Sequence, residues 1–172
     1  TAVANQIKNK FLGGRVLVCV GKGNNGKDGL VVADILKKTH GYNVTVFDAQ
    51  NDNIEVFDKI YDIIVDCIFG TGLNKVVEDK YEIIIQKINT SKAFIISCDI
   101  PSGINGDNGC VMGIAVKANF TVAMQEYKLG HFLGDGIDYC GELACVDIGI
   151  SVWDENFVKR IDDRDAKLLF KH

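Results

Sequence analysis

The sequence lacks long apolar runs, an excess of positive charge and proline. No stretch approaches the roughly 18 consecutive apolar residues of a membrane-spanning helix, so we expect no membrane span. Lys and Arg number 19 against 23 Asp and Glu, a formal net charge of −4. Nucleic acids and anionic membranes select clustered Lys and Arg, so neither is expected as a partner. Pro101 is the single proline in 172 residues.

Cysteine motifs for metals are also missing. None of the six cysteines forms a C-x-x-C pair, and the three histidines lie far apart, so zinc is not expected. No signal peptide is visible and a chain of this size needs no disulfide framework, which predicts reduced thiols and a cytoplasmic protein. The chain starts at Thr1 rather than Met, so a leader peptide that has been removed is compatible with the sequence. The cysteines in apolar runs, expected in the core, are Cys19, Cys67, Cys98 and Cys145.

Apolar residues make up 47% of the chain, enough for one buried core, and the length favours one domain. Short β-branched runs alternate with stretches of helical pattern, which predicts an α/β layer sandwich with a mostly parallel sheet and ligands at the carboxyl ends of the strands. The predicted strands are 15–20, 43–48, 62–67, 93–98, 120–124 and 143–146. The predicted helices are 2–11, 29–40 with Asp28 as cap, and 76–89 with Ile83, Ile84, Ile85 and Ile88 facing inwards.

The first predicted strand is followed by the glycine-rich loop Gly21-Lys-Gly-Asn-Asn-Gly-Lys-Asp-Gly29. Gly21, Gly23 and Gly26 match G-x-G-x-x-G, in which glycines let backbone N–H groups approach phosphate. Asp48, at the end of the second strand, stands where dinucleotide folds hold a ribose. A nicotinamide-dependent oxidoreductase is therefore one reading, and glycines required only by the turn are another.

Two further loops carry acids at the ends of apolar strands. Asp66 follows Ile63-Ile64-Val65, and a carboxylate buried there must meet a cation, a cluster of donors or a proton. Gly70-Thr71-Gly72 behind it could form a second anion cradle. In Asp99-Ile-Pro-Ser-Gly103, Asp99 could serve as a general acid and base and Ser102 as a hydroxyl ligand. Each loop taken alone could also be an ordinary turn. Three such loops after three strands meet at one edge of the sheet, however, and this favours a functional site.

These motifs, with the later Lys128-Leu-Gly-His131, resemble the NAD(P)H-hydrate epimerase family, the YjeF N-terminal domain. The resemblance runs from about Ala2 to Ile150 and implies a Rossmann-like three-layer fold. It implies an isomerase of nicotinamide cofactor repair that interconverts the R and S forms of hydrated NADH and NADPH (NADHX and NADPHX) at C6 of the nicotinamide ring. It also implies an ADP- or ATP-dependent dehydratase as functional partner. A homodimer is expected only because dimers are common in the family.

By the same resemblance, Asp99 is the expected catalytic residue. Potassium is the expected cofactor, held by Asn25, Asp66 and Ser102. The expected substrate contacts are Asn24, Asn25, Gly26, Lys27, Asp28, Gly70, Thr71, Gly72, Leu73, Asn74, Lys75, Val76 and Asp99.

The sequence departs from the family pattern at two positions. Lys27 stands where the family commonly has glycine, and could contact substrate phosphate or narrow the site. Asn119 stands where an acid is usual, in a position that looks structural. We expect residues 1–150 to form the epimerase-like domain with its first helix truncated. Residues 151–172 are expected to be a tail or the start of a linker to a dehydratase domain.

Two other functions remain open. A nicotinamide-dependent oxidoreductase would leave Asp66 and Asp99 without a role, and no Tyr-x-x-x-Lys pair for hydride transfer is evident. A non-catalytic binding module of the same family is expected to lose the acid pair or the cation ligands, which are present here.

Overall fold

A computed structural model describes residues 2–149 and shows one six-stranded sheet in which every neighbouring pair is parallel. The strand order is β2-β1-β3-β4-β5-β6. The predicted strand positions are confirmed to within one residue at either end. The strands are β1 (Gly14–Val20), β2 (Tyr42–Asp48), β3 (Ile63–Cys67), β4 (Phe94–Cys98), β5 (Phe120–Met124) and β6 (Glu142–Val146).

Helices cover both faces of the sheet, which confirms the predicted three-layer α/β architecture. Side chains alternate along β1, so Val16 and Val18 pack with helices α1 (Ala2–Lys10) and α2 (Asn24–Lys37). Leu17 and Cys19 point to the other face and pack with α3 (Asp79–Thr90). A four-residue helix, α4 (Gly136–Tyr139), and 3₁₀ turns at Ile54–Asp58 and Leu129–His131 complete the described elements.

The predicted start of α2 at residue 29 is wrong, because the helix begins at Asn24 inside the glycine loop. Gly23 occupies the N-cap position and Asp28 lies within the helix, so Asp28 is not the cap. Gly26 makes this early start possible: a Cβ there would lie 1.7 Å from the Gly21 carbonyl oxygen. The helix ends at Lys37 rather than at residue 40.

The predicted start of α3 at residue 76 is wrong too, because the helix begins at Asp79. Ile84, Ile85 and Ile88 are fully buried as predicted, but Ile83 is 45% exposed. The 3.6-residue period explains the difference, since residues 84, 85 and 88 share a face that residue 83 does not.

All six cysteines are free thiols. Cys19, Cys67 and Cys98 are buried as predicted, whereas Cys145 is partly exposed. Cys140 is also buried, which the sequence pattern did not indicate. Every helix in the described part of the chain is too short or too polar to cross a lipid bilayer.

The strand order fixes where a ligand can bind. The connection through α2 leads from β1 to β2 on one side, and the connection through α3 leads from β3 to β4 on the other. The chain therefore reverses its direction of winding between β1 and β3, and the loops leaving these two strands diverge. In open α/β sheets the crevice at such a point, outside the carboxyl ends of the strands, is the usual ligand site.

Candidate active site

A cleft of about 870 Å³ lies at this edge of the sheet. The loop after β1 and the first turn of α2 form one wall, and the loop from β3 to the start of α3 forms the other. Asp99, directly after β4, and Met124, at the end of β5, also line it. The three loops singled out in the sequence thus meet at one place.

Close backbone contacts explain two of the three fingerprint glycines. A Cβ on Gly21 would lie 2.0 Å from the Ile68 carbonyl oxygen, and one on Gly26 would meet Gly21 itself. Only Gly23 faces open space, and as N-cap it makes no side-chain hydrogen bond to the first turn of α2. The N–H groups of that turn are therefore the part of the motif that can receive an anionic ligand.

Asn25 connects the first loop to the second. Its side chain is nine-tenths buried, and Nδ2 donates to the Phe69 carbonyl oxygen at 2.7 Å. The other amide atom, Oδ1, is buried and accepts no hydrogen bond. Buried acceptors are rarely left without a partner, so this oxygen is suited to a ligand that the protein alone does not supply.

Asp66 connects the second loop to the third from a fully buried position at the end of β3. One oxygen, Oδ2, accepts from Ser97 Oγ at 2.9 Å and from the Ser102 backbone N–H at 2.8 Å. The other, Oδ1, accepts from Ser102 Oγ at 2.5 Å and from the Ile68 N–H at 3.3 Å. Burial raises the pKa of Asp66, and the bonds from Ser102 and Ser97 oppose that shift.

Ser102 extends this network towards the cleft. Its hydroxyl oxygen accepts from the Phe69 N–H at 2.8 Å, while the Phe69 carbonyl oxygen accepts from Asn25. Asn25, Phe69, Ser102 and Asp66 are therefore joined by consecutive hydrogen bonds across the loops after β1, β3 and β4. An amide, a hydroxyl and a carboxylate, each of which carries oxygen, are thus linked in one network.

Asp99 presents its carboxylate to the cleft from a left-handed backbone conformation, with φ of 70°. Its Oδ1 accepts from Lys128 Nζ and, at 3.3 Å, from the Met124 N–H. Its Oδ2 takes no part in these bonds and lies 3.7 Å from the position of a Cβ on Gly70. Asp28 also lines the cleft, and its pKa is raised by burial and by the charge of Asp99.

Lys128 and His131 both contact Asp99, and neither lines the cleft. The sequence motif that contains them indicates no role for either. His131 is 1% exposed, and its Nδ1 accepts from the Lys128 N–H at 2.9 Å. Its Nε2 lies 2.8 Å from the Asp99 carbonyl oxygen. Burial lowers the pKa of His131, which favours a neutral ring that donates through Nε2. In the sequence, only the i, i+3 spacing of Lys128 and His131 could have indicated a role. That role becomes visible only because β5 lies beside β4, which brings the two residues next to Asp99.

Comparison with known proteins identifies the family of the chain. The family described as "YjeF-related protein N-terminus" matches residues 1–58 and 48–130. The chain is 37% identical over 169 residues to the NAD(P)H-hydrate epimerase of Lentilactobacillus buchneri, covering 85% of this chain and 78% of that protein. The chain belongs to the YjeF-related N-terminal family.

The chain also resembles a longer curated protein and a solved structure. It is 36% identical to the bifunctional NAD(P)H-hydrate repair enzyme Nnr of Coxiella burnetii, covering 90% of this chain but only 35% of that protein. The crystal structure of yeast ynu0 superposes with a TM-score of 0.67 at 22% identity, covering 87% of this chain and 76% of the yeast chain. The yeast structure supports the fold.

The structure brings together most of the residues that the family resemblance implied. Asp66 and Ser102 lie buried beneath the cleft rather than in its wall. Gly26 is buried too, and Lys27 is exposed, with Nζ 3.4 Å from Asn24 Oδ1; neither lines the cleft. The implied residues that do line it are Asn24, Asn25, Asp28, Gly70, Thr71, Gly72, Leu73, Asn74, Lys75, Val76 and Asp99. Unpredicted lining residues include Lys22, Glu78, Tyr81 and Met124.

Asn119, the second departure from the YjeF-related pattern, pairs with the start of β4. Its Oδ1 accepts from the Ile95 N–H at 2.7 Å, and its own N–H donates to the Ile95 carbonyl oxygen at 2.9 Å. This confirms the structural role expected for the position. The predicted domain boundary and the tail at 151–172 lie outside the described residues.

Asp48 does not contribute to the cleft. Its carboxylate accepts from the Gln50 N–H at 2.8 Å and from Asn51 Nδ2 at 2.9 Å, and these bonds lower its pKa. The ribose-binding role that an oxidoreductase would require is therefore not favoured, since the turn after β2 already uses both carboxylate oxygens.

Proposed function

We propose that this protein epimerises hydrated NADH and NADPH at C6 of the nicotinamide ring, as an isomerase of cofactor repair. The observation that carries the proposal is the Asp99 carboxylate, set in a cleft of about 870 Å³ with one oxygen directed towards Gly70. The relatives named NAD(P)H-hydrate epimerase, one of which the chain covers to 78% of its length, supply the substrate class.

Asp99 would move the proton. C6 of the hydrated ring carries a hydroxyl and is bonded to the ring nitrogen, so inverting this centre requires a bond to C6 to break and re-form. When the hydroxyl proton leaves, the C6–N bond can open to an aldehyde while the ring nitrogen takes up a proton. Ring closure on the other face of the aldehyde re-forms the C6–N bond, releases the proton from nitrogen and returns one to the oxygen. A carboxylate within hydrogen-bond reach can take the hydroxyl proton and give it back, the task of a general acid and base. Asp99 Oδ2 is suited to this task, since the other oxygen is engaged by Lys128 and Met124.

The walls of the cleft would hold the rest of the dinucleotide. The open N-cap at Gly23 gives phosphate access to the first backbone N–H groups of α2. Lys22 and Lys75 line opposite walls and can offset the charge of a pyrophosphate. These contacts would position the nicotinamide end beside Asp99.

The buried network fits potassium. Asn25 Oδ1 is a buried oxygen without a hydrogen-bond partner, while Asn25 Nδ2 is linked through Phe69 to Ser102 and Asp66. The hydroxyl of Ser102 and the carboxylate of Asp66 supply further hard oxygens. Hard cations prefer such oxygens. We propose that Asn25, Asp66 and Ser102 would hold the ion. When bound, potassium would supply positive charge to the buried Asp66 and keep the three loops together.

We also propose that an ADP- or ATP-dependent dehydratase is the functional partner, restoring the cofactor from one epimer. The bifunctional repair enzymes of Coxiella burnetii and Thermofilum pendens, of which the chain covers 35% and 30%, support a partner in the same polypeptide. A homodimer in the cytoplasm, where the nicotinamide cofactors turn over, completes the proposal.

The test is to follow the interconversion of purified NADPHX epimers by NMR. The wild type should accelerate it well above the spontaneous rate, and Asp99→Asn should lower the rate by about 10²- to 10⁴-fold, the usual worth of a general acid and base. Asp34→Asn is the matched control, because Asp34 is an exposed carboxylate on α2 that does not line the cleft, and this variant should stay near wild type. A wild type no faster than the spontaneous reaction would refute the proposal.

A further inference from the structure

We propose that Lys128 and His131 are positioning residues that fix Asp99 so that only its Oδ2 faces the substrate. The inference rests on the proposed function, because it concerns the group that moves the proton. Neither residue lines the cleft, so each would act through Asp99 rather than on the substrate.

Lys128 restrains the side chain of Asp99. Its Nζ donates to Asp99 Oδ1 and, at 2.8 Å, to the Met124 carbonyl oxygen. The two side chains of the ion pair are only 22% and 15% exposed, so water screens the pair less than it would at the surface. With Oδ1 held by Lys128 and by the Met124 N–H, rotation of the carboxylate is restricted.

His131 restrains the backbone of Asp99. The left-handed conformation at φ of 70° is unfavourable for a residue with a Cβ and persists only where neighbours enforce it. The Asp99 N–H donates to the Val122 carbonyl oxygen at 2.8 Å, and the Asp99 carbonyl oxygen lies 2.8 Å from His131 Nε2. The backbone N–H and the backbone carbonyl of Asp99 are therefore both hydrogen-bonded to neighbouring elements.

The two positioning residues are also tied to each other. His131 Nδ1 accepts the backbone N–H of Lys128 at 2.9 Å, so the ring that supports the Asp99 backbone also orders the residue that holds its side chain. The ammonium of Lys128 further offsets the repulsion between Asp99 and Asp28, an acid that also lines the cleft. A lysine and a histidine three residues apart thus hold one carboxylate in place.

The first experiment compares Lys128→Met with Lys87→Met, which breaks an ion pair with Asp58 remote from the cleft. Lys128→Met should lower kcat by about tenfold to a hundredfold, as a misplaced catalytic group does, with KM within about threefold of wild type. Lys87→Met should leave both constants unchanged. Thermal unfolding of each variant shows whether the assay temperature lies below its transition.

A double-mutant cycle then tests the route of action. In an Asp99→Asn background, adding Lys128→Met should cause no further loss, because the group through which it acts is already gone. An equal fractional loss in both backgrounds would overturn the inference, as would a rise in KM alone, which would assign Lys128 to substrate binding. If the wild type itself fails to epimerise, the proposed function fails instead, so the two failures are distinguishable.

His131 is tested by replacing its Nε2 donor. His131→Gln keeps an amide N–H that can reach the Asp99 carbonyl oxygen, whereas His131→Leu removes it. We expect Gln to restore most of the kcat that Leu loses, measured below the unfolding transition of both. Equal kcat values for the two variants would overturn the role assigned to His131.

Discussion

Asn25 donates from Nδ2 to the Phe69 carbonyl oxygen and thereby leaves Oδ1 buried without a partner. The bond fixes the orientation of the amide, since a flip would bring two oxygens together. The atom without a partner is therefore an acceptor. Its orientation is set by the hydrogen bond between Asn25, in the glycine loop, and Phe69, in the loop after β3. A cation bound to this atom should therefore stabilise the folded protein.

Removing that acceptor should remove the response to potassium. At constant ionic strength, replacing tetramethylammonium chloride by KCl should raise the Tm of the wild type, because a ligand that binds only the folded state stabilises it. Asn25→Ala should show no such rise. Asn24→Ala is the control, since Asn24 is an exposed amide next in sequence, and it should keep the wild-type response. Equal responses in Asn25→Ala and wild type would exclude the site.

Asp66→Asn should destabilise the fold by about 2–3 kcal/mol in urea unfolding, because the new NH₂ group cannot accept the donors that now meet the carboxylate. Asp62→Asn is the control. Asp62 directly precedes β3, and its carboxylate is exposed and paired with Arg15, so this variant should lower the free energy of unfolding much less. Similar losses for the two variants would show that the buried network contributes little to stability.

Gly70→Ala should obstruct the cleft while the fold persists. The new Cβ would stand 3.3 Å from Asn25 Cβ and 3.7 Å from Asp99 Oδ2, in the space where the substrate must meet the carboxylate. We expect KM to rise by about tenfold, since overpacked contacts cost about 1–3 kcal/mol. Gly72→Ala is the matched control, because its Cβ meets nothing within 4 Å. A wild-type KM for Gly70→Ala would place the reacting ring elsewhere.

His131 should make stability depend on pH. Burial lowers its pKa from the usual 6.5, so below that pH the unfolded chain takes up a proton that the folded chain does not. Its contribution to stability is present above pH 6.5 and is lost as the pH falls through the folded-state pKa. Urea unfolding between about pH 7.5 and pH 5 should therefore show a flatter pH dependence in His131→Gln than in wild type. Parallel curves would contradict this.

The strands and their meeting edge could be predicted because their signals are local. Runs such as Ile63-Ile64-Val65 are apolar on both faces, which is typical of a parallel strand covered by helices. The carboxyl ends of such strands share one edge, so Asp66 and Asp99 were expected to lie near each other. Family resemblance then added the roles, which composition and periodicity do not contain.

The rest depended on contacts between distant segments. Helix α2 can begin at Asn24 because Gly26 packs directly against the backbone of Gly21. This contact cannot be inferred from either glycine by itself. The support of Asp99 by His131 requires β5 to lie beside β4, which strand patterns do not specify. Fingerprint glycines that suggested a nucleotide proved to be required mainly by the packing of one loop on another.

Because α2 begins at Asn24, position 27 falls on the outer side of its first turn, next to the mouth of the cleft but outside its wall. Lys27 is therefore a convenient attachment point: a fluorophore carried by Lys27→Cys, in a variant whose exposed Cys110 is replaced by serine, would sit beside the entrance without displacing a lining side chain. Such a label could report ligand arrival by a change in emission, giving a binding assay independent of turnover.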